Sequence, residues 1–130
     1  GATVDDVLMQ IAESDKVHGI LMTGFGAGNV PDRLIPFIRA SKENGKPVFV
    51  YTKCDTGAAD MGIYSVGAAP LEAGAKPAGD MTLEALGQKL MYAIGSATSE
   101  RLTGEERLRF VESIIRKPYN GDITVTERRK

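Results

Sequence analysis

The sequence predicts an α/β fold of three layers, a parallel sheet with helices on both faces. Two short, nearly continuous apolar runs point to it. Val17-His18-Gly19-Ile20-Leu21-Met22 and Pro47-Val48-Phe49-Val50-Tyr51 read as strands buried on both faces. Segments of helical periodicity precede, separate and follow these runs, the order that parallel strands joined by crossovers require. The chain has 130 residues, enough for one domain with a real core and too few for two full-sized ones. It is therefore read as a single domain over residues 1–130, with no internal repeat.

Residues 3–14 read as the first helix. Val4, Val7, Leu8 and Ile11 fall on one face, Thr3 can cap it, and Asp5 and Asp6 suit its first turn. The first strand ends in Gly24-Phe25-Gly26-Ala27-Gly28-Asn29. Pro31 then takes the first position of the second helix, with Val30 as its formal cap. Leu34, Ile35, Phe37 and Ile38 supply the buried stripe, Pro36 predicts an irregular start, and Asn44-Gly45 is the stop. After the second strand, residues 54–62 are rich in Gly, Ala and Asp and read as a loop. A short helix is expected over residues 65–73. Thr82 leads into a strong helix with Leu83, Leu86, Leu90, Met91 and Ile94. The last helix runs from about residue 103 to residue 116 on Leu108, Val111, Ile114 and Ile115, and Pro118 ends it. Glu100, Arg101, Glu105, Glu106, Arg107 and Arg109 read as the wet face of that region. The whole is a Rossmann- or flavodoxin-like arrangement.

Charge and composition narrow the function classes. Sixteen Lys and Arg residues against seventeen Asp and Glu leave a net charge of -1, against a dedicated nucleic-acid binder. No apolar run approaches the roughly 20 residues that span a bilayer. Asp5, Asp6 and Glu13 interrupt any signal-peptide core. The single cysteine, Cys54, excludes an internal disulfide and fits a reducing, cytoplasmic compartment. One His and one Cys leave little material for a transition-metal site.

The strongest local motif is the glycine turn of residues 24–29, between a buried strand and a helix. Ligands of open α/β sheets bind at that carboxyl edge, and glycines let them approach the main chain. Its spacing is G-x-G-x-G, which departs from the dinucleotide fingerprint, and the Walker lysine–serine pair is absent. Two readings stay open: an anion-binding cradle, or a tight structural turn. Asn29 is either free to meet a ligand or satisfies the turn itself. Cys54 follows the second strand, whereas His18 lies at the amino end of the first, so a Cys–His dyad is not expected. Asp55, Asp60, Tyr64 and Glu72 are further polar candidates, with solvated loop acids as the default.

The order of motifs adds a resemblance. His18-Gly19-Ile20-Leu21 leads to Gly24-Phe25-Gly26-Ala27-Gly28-Asn29-Val30-Pro31, then Gly45-Lys46-Pro47-Val48-Phe49-Val50 and Thr52-Lys53-Cys54. Tyr64-Ser65-Val66-Gly67, Leu71-Glu72-Ala73-Gly74-Ala75, Asp80-Met81-Thr82-Leu83-Glu84-Ala85 and Lys89-Leu90 follow. This set resembles the carboxy-terminal domain of the bacterial-type L-asparaginases over about residues 4–95. Within that family it is more similar to the cytoplasmic type I branch, and to the related amidotransferase D subunit of archaeal glutamyl-tRNA synthesis.

The resemblance implies half of a two-domain amidohydrolase that converts asparagine to aspartate and ammonia. In that family the nucleophilic threonine and its partners belong to the amino-terminal domain. None of that domain's motifs appears here, so the chain is expected to be inactive alone, with no catalytic residue, metal or cofactor of its own. Its implied partners are the missing amino-terminal domain, a small amino-acid substrate, and further copies in a homodimer or homotetramer. Neither nucleic acid nor membrane is expected.

Asn29 matches the asparagine that closes the family's glycine turn and helps bind substrate in a partner subunit's active site, with Gly26 and Gly28 beside it. The type I branch resembles an allosteric enzyme whose effector lies near the positions of Thr52 and Cys54. Its effector-binding arginine aligns with Thr23, a departure that removes a charge-assisted partner for a carboxylate. The family's intersubunit acid has no secure match between Asp60 and Glu72. Outside the resemblance, the alternative is an autonomous small-molecule or anion-binding module built on the turn of residues 24–29.

Overall fold

The computed structural model describes residues 3–23, 30–51, 67–79 and 81–117. In chain order they form α1 (Val4–Glu13), β1 (Ile20–Met22), a 3-10 turn (Asp32–Leu34) running into α2 (Ile35–Glu43), and β2 (Val48–Val50). There follow α3 (Ala68–Ala73), β3 (Ala75–Pro77), α4 (Leu83–Ser99) and α5 (Gly104–Arg116). The strands form one parallel sheet in the order β1-β2-β3. The α/β expectation is therefore met.

Side-chain alternation divides the core into two layers. Val48 and Val50 of β2, with Ile20 and Met22 of β1, face Ile38 of α2 and Ala73 of α3. Phe49 and Leu21 point the other way, toward Leu86, Leu90 and Ala93 of α4 and Val111 and Ile115 of α5. Helices thus cover both faces, and α1 packs against α2. A strand covered on both sides has no polar face, which is why the apolar runs are continuous.

Several local details follow from residue chemistry. Thr3 and Asp6 make a reciprocal capping box on α1, with Asp6 N–H donating to Thr3 Oγ1 at 3.1 Å and Thr3 N–H donating to Asp6 Oδ2 at 3.2 Å. Pro31 is not the first helical residue; it stands outside the 3-10 turn with ψ 144°. Pro36 is the reason, because it has no N–H to donate to the carbonyl of Asp32. Ile35 N–H donates to that carbonyl instead, which tightens the turn before α2 begins. Val30 joins the core and caps nothing.

Helix α3 is confined between Gly67 (φ 95°) and Gly74 (φ 122°), shorter than the 65–73 expectation, whose first two residues lie outside the described residues. Strand β3 is not foreseen by periodicity. It contributes one buried residue, Ala75, and ends in an exposed proline that suits a sheet edge.

Sequence expectations for three side chains are corrected. Met91 is 75% exposed, because it follows Leu90 by one residue and is turned about 100° off the buried stripe. Leu83 is exposed as well; the stripe is Leu86, Lys89, Leu90, Ala93 and Ala97. Arg107 is not part of a wet face. It lies four residues before Val111 and is buried.

Three buried cations satisfy carbonyls at or just past helix ends. Lys46 Nζ donates to Ala12 O of α1 at 2.7 Å. Arg107 Nη1 donates to Gly45 O, just past α2, at 3.3 Å. Lys89 Nζ donates to Ile115 O of α5 at 3.2 Å and also to Lys117 O. The last carbonyls of a helix have no partner within it, and positive charge is favourable there. Burial pushes the Lys46 ammonium below its ordinary value of 10.5, and the Arg107 charge adds to this; Asp15 and Glu13 act in the opposite direction. Burial lowers Arg107 too.

Two outcomes test this packing. Phe49→Ala, which empties the centre of the second layer, is expected to cost about 3–5 kcal/mol in urea unfolding. A loss below about 1 kcal/mol would contradict the placement of Phe49. The second concerns pH. Between the lowered folded-state pKa of Lys46 and its unfolded value of 10.5, the unfolded chain binds a proton that the folded chain lacks. Stability from this group therefore rises with pH across that window and is flat below it. The difference in unfolding free energy between wild type and Lys46→Met, followed up to pH 10.5, should shift in favour of wild type. A shift of the opposite sign would contradict the desolvated ammonium.

Candidate functional site at the carboxyl edge

The three strands end together. Tyr51 N–H donates to Met22 O at 2.8 Å, and Ala78 N–H donates to Val50 O at 3.0 Å. The register pairs Met22 with Val50 and Val50 with Pro77, so the connections after all three strands leave from one edge. This is the edge at which open parallel sheets hold ligands.

The glycine turn is anchored there at both ends. The chain enters it from Met22 and exposed Thr23, and returns at Val30. Met22 and Val30 belong to the same core cluster, against Ile38. The connection after β2 starts beside it, because Tyr51 is hydrogen-bonded to the last residue of β1. The fold thus brings the starts of both sequence-predicted loops to one place. Gly26, Gly28 and Asn29, together with Thr52 and Cys54, lie outside the described residues, as do Asp55, Asp60 and Tyr64.

The remaining candidates separate from this edge. His18 is exposed and precedes β1, at the opposite end of the sheet. Glu72 is exposed on α3. Asp5 and Arg33 form an exposed ion pair at 3.5 Å between α1 and the 3-10 turn; such pairs contribute little to stability. Among the described residues, no group of three or more His, Cys, Asp or Glu could hold a metal ion. None of their helices is long and apolar enough to cross a membrane.

The buried cations are what the sequence reading does not anticipate. Lys89 carries a usable signal, since it stands on the apolar stripe three residues after Leu86. Arg107 carries the same signal at four residues before Val111. Lys46 carries none, between a glycine and a proline. Their partners are main-chain carbonyls at or just past helix ends, so their role is to hold helices in place rather than chemistry at the carboxyl edge.

Comparison with known proteins agrees with this geometry. The family model described as the glutaminase/asparaginase C-terminal domain matches residues 2–103. The chain is 36% identical to an L-asparaginase of Thermococcus kodakarensis over 121 residues, covering 92% of this chain and 34% of that protein. It is 34% identical over 88 residues to the D subunit of the glutamyl-tRNA(Gln) amidotransferase of Methanothermobacter thermautotrophicus, covering 68% of this chain and 20% of that protein. The corresponding amidotransferase protein of Thermococcus kodakarensis is 32% identical over 121 residues, covering 93% of this chain and 26% of its own length. The chain therefore spans a fifth to a third of these relatives. No solved structure gives a significant match. With most of its length matched, and with the parallel sheet and its shared loop edge in place, the chain belongs to the glutaminase/asparaginase C-terminal domain family.

Proposed function

We propose that this chain is the single supporting C-terminal domain of an L-asparaginase, which hydrolyses L-asparagine to L-aspartate and ammonia. The observation that carries the reading is its similarity to an L-asparaginase over 92% of its length. The shared edge for the loops after β1 and β2 supports it, because that is where a domain of this fold meets a small ligand.

In this reading an amino-terminal domain supplies a threonine that attacks the side-chain amide carbon. Ammonia leaves, and water then releases aspartate from the acyl-enzyme. This chain contributes no nucleophile. Asn29 reaches the substrate's amino and carboxylate groups in a partner protomer, and Gly26 and Gly28 let the main chain come close. That arrangement requires at least a homodimer. The protein is assigned to the cytoplasm, in keeping with its single cysteine. Thr23 stands where the type I branch would need an arginine, so an effector at Thr52 and Cys54 would lack that cation.

The test uses the chain alone and the chain joined to an amino-terminal catalytic domain. Ammonia release from L-asparagine and from L-glutamine is measured for each. The chain alone should give no release above background, and the joined protein should turn over. In the joined protein, Asn29→Ala should lower kcat/KM by about 10- to 100-fold, the effect of losing hydrogen bonds to charged groups. Its thermal midpoint should stay unchanged. Unaltered kinetics in Asn29→Ala would remove the site assignment. Stabilisation of the isolated chain by a nucleotide, and not by asparagine or aspartate, would favour the autonomous binding module on residues 24–29.

A further inference from the structure

A cavity lies at the opposite, amino-terminal edge of the sheet. It has a volume of about 110 Å³ and opens where β2 and β3 begin, between the end of α2 and the middle of α5. Pro47, Val48, Phe49, Leu71 and Leu108 give it apolar walls. Its charged lining is unequal in a specific way. Glu105 is engaged by Arg109 at 3.5 Å, and Glu112 is shared by Lys76 at 3.4 Å and Arg116 at 2.9 Å. Lys42 also lines the cavity and makes no ion pair among the described residues.

Lys42 is also held in place. Its stem lies against Gly74, where an added Cβ would fall 2.6 Å from Lys42 Cδ and 3.0 Å from its Cβ. Gly74 has φ 122°, so the junction of α3 and β3 is both left-handed and bare, and the lysine stem occupies the space. The same lysine lines an adjoining hollow of about 410 Å³ with Arg39, Leu108 and the carboxylates of Glu43, Glu72 and Glu105. A positioned cation beside a small apolar cavity whose own two acids, Glu105 and Glu112, are already paired is the recognition pattern for a short amphiphilic anion.

We propose that this cavity is a binding site for a short-chain aliphatic carboxylate. The alkyl chain lies against Leu71, Leu108 and Phe49, and the carboxylate pairs with Lys42. The site is separate from the carboxyl edge and does not depend on the asparaginase reading.

Hexanoate and its neutral counterpart hexanamide are titrated into the 130-residue chain, and amide and methyl NMR shifts are followed. Hexanoate should bind saturably in the millimolar range, with shifts at Leu71, Leu108 and Phe49 and none at Thr23 or Tyr51. Hexanamide should bind at least about fivefold more weakly. Lys42→Met keeps the stem on Gly74 and removes the charge; it should weaken hexanoate by a similar factor and leave the thermal midpoint in place. Lys16→Met, on an exposed residue beyond α1, should change nothing. Equal binding of acid and amide, full affinity in Lys42→Met, or absence of saturable shifts at Leu71 and Leu108 would each overturn the proposal.

Discussion

Burial of β2 on both of its faces is the constraint on which the rest depends. Val48, Phe49 and Val50 are each no more than 2% exposed, yet they point alternately into two different layers. Each such side chain contributes about 1.5–3 kcal/mol when withdrawn from water. A strand of this kind needs neighbours on both edges to satisfy its main chain, and β1 and β3 supply them. It also needs a helical layer on each side, which fixes α2 and α3 on one face and α4 and α5 on the other. Parallel pairing then forces every connection to return across the sheet, so the strand ends gather at one edge.

The helices that flank the sheet are held in place in part by the buried cations. Lys46, Arg107 and Lys89 each donate to a carbonyl at or just past a helix end. The carbonyls would otherwise be left without partners inside the protein. Lys46 links the end of α1 to the entry of β2, and Arg107 links α5 to the same entry through Gly45. Two helices are thereby referenced to the start of one strand, and Lys89 joins α4 to the end of α5. The cost is desolvation of the charges, which is visible in the lowered affinity of Lys46 for its proton.

How much of this is legible in the sequence depends on how many residues carry each signal. The two inner strands are legible because six apolar residues in Ile20–Met22 and Val48–Val50 interrupt the polar chain in two blocks. The capping box at Thr3 and Asp6 and the irregular start forced by Pro36 are legible because single residues dictate them. Strand β3 is not, since Ala75, Lys76 and Pro77 have neither length nor alternation, and their conformation is set by pairing with β2. The outward turn of Met91 and the burial of Arg107 escape a reading based on residue type, though their spacing from Leu90 and Val111 contains both. At the site, the motif order identifies the edge, while Asn29, Thr52 and Cys54 rest on resemblance.

The proposed function places the substrate at the carboxyl edge, against the connections after β1 and β2. Amide hydrogen exchange of the two-domain protein, with and without saturating L-aspartate, tests it most directly. Slower exchange is expected in peptides covering residues 23–30 and 51–54, and unchanged exchange at residues 44–47 on the opposite edge. Unchanged exchange at the first two segments, with protection elsewhere in this chain, would contradict it.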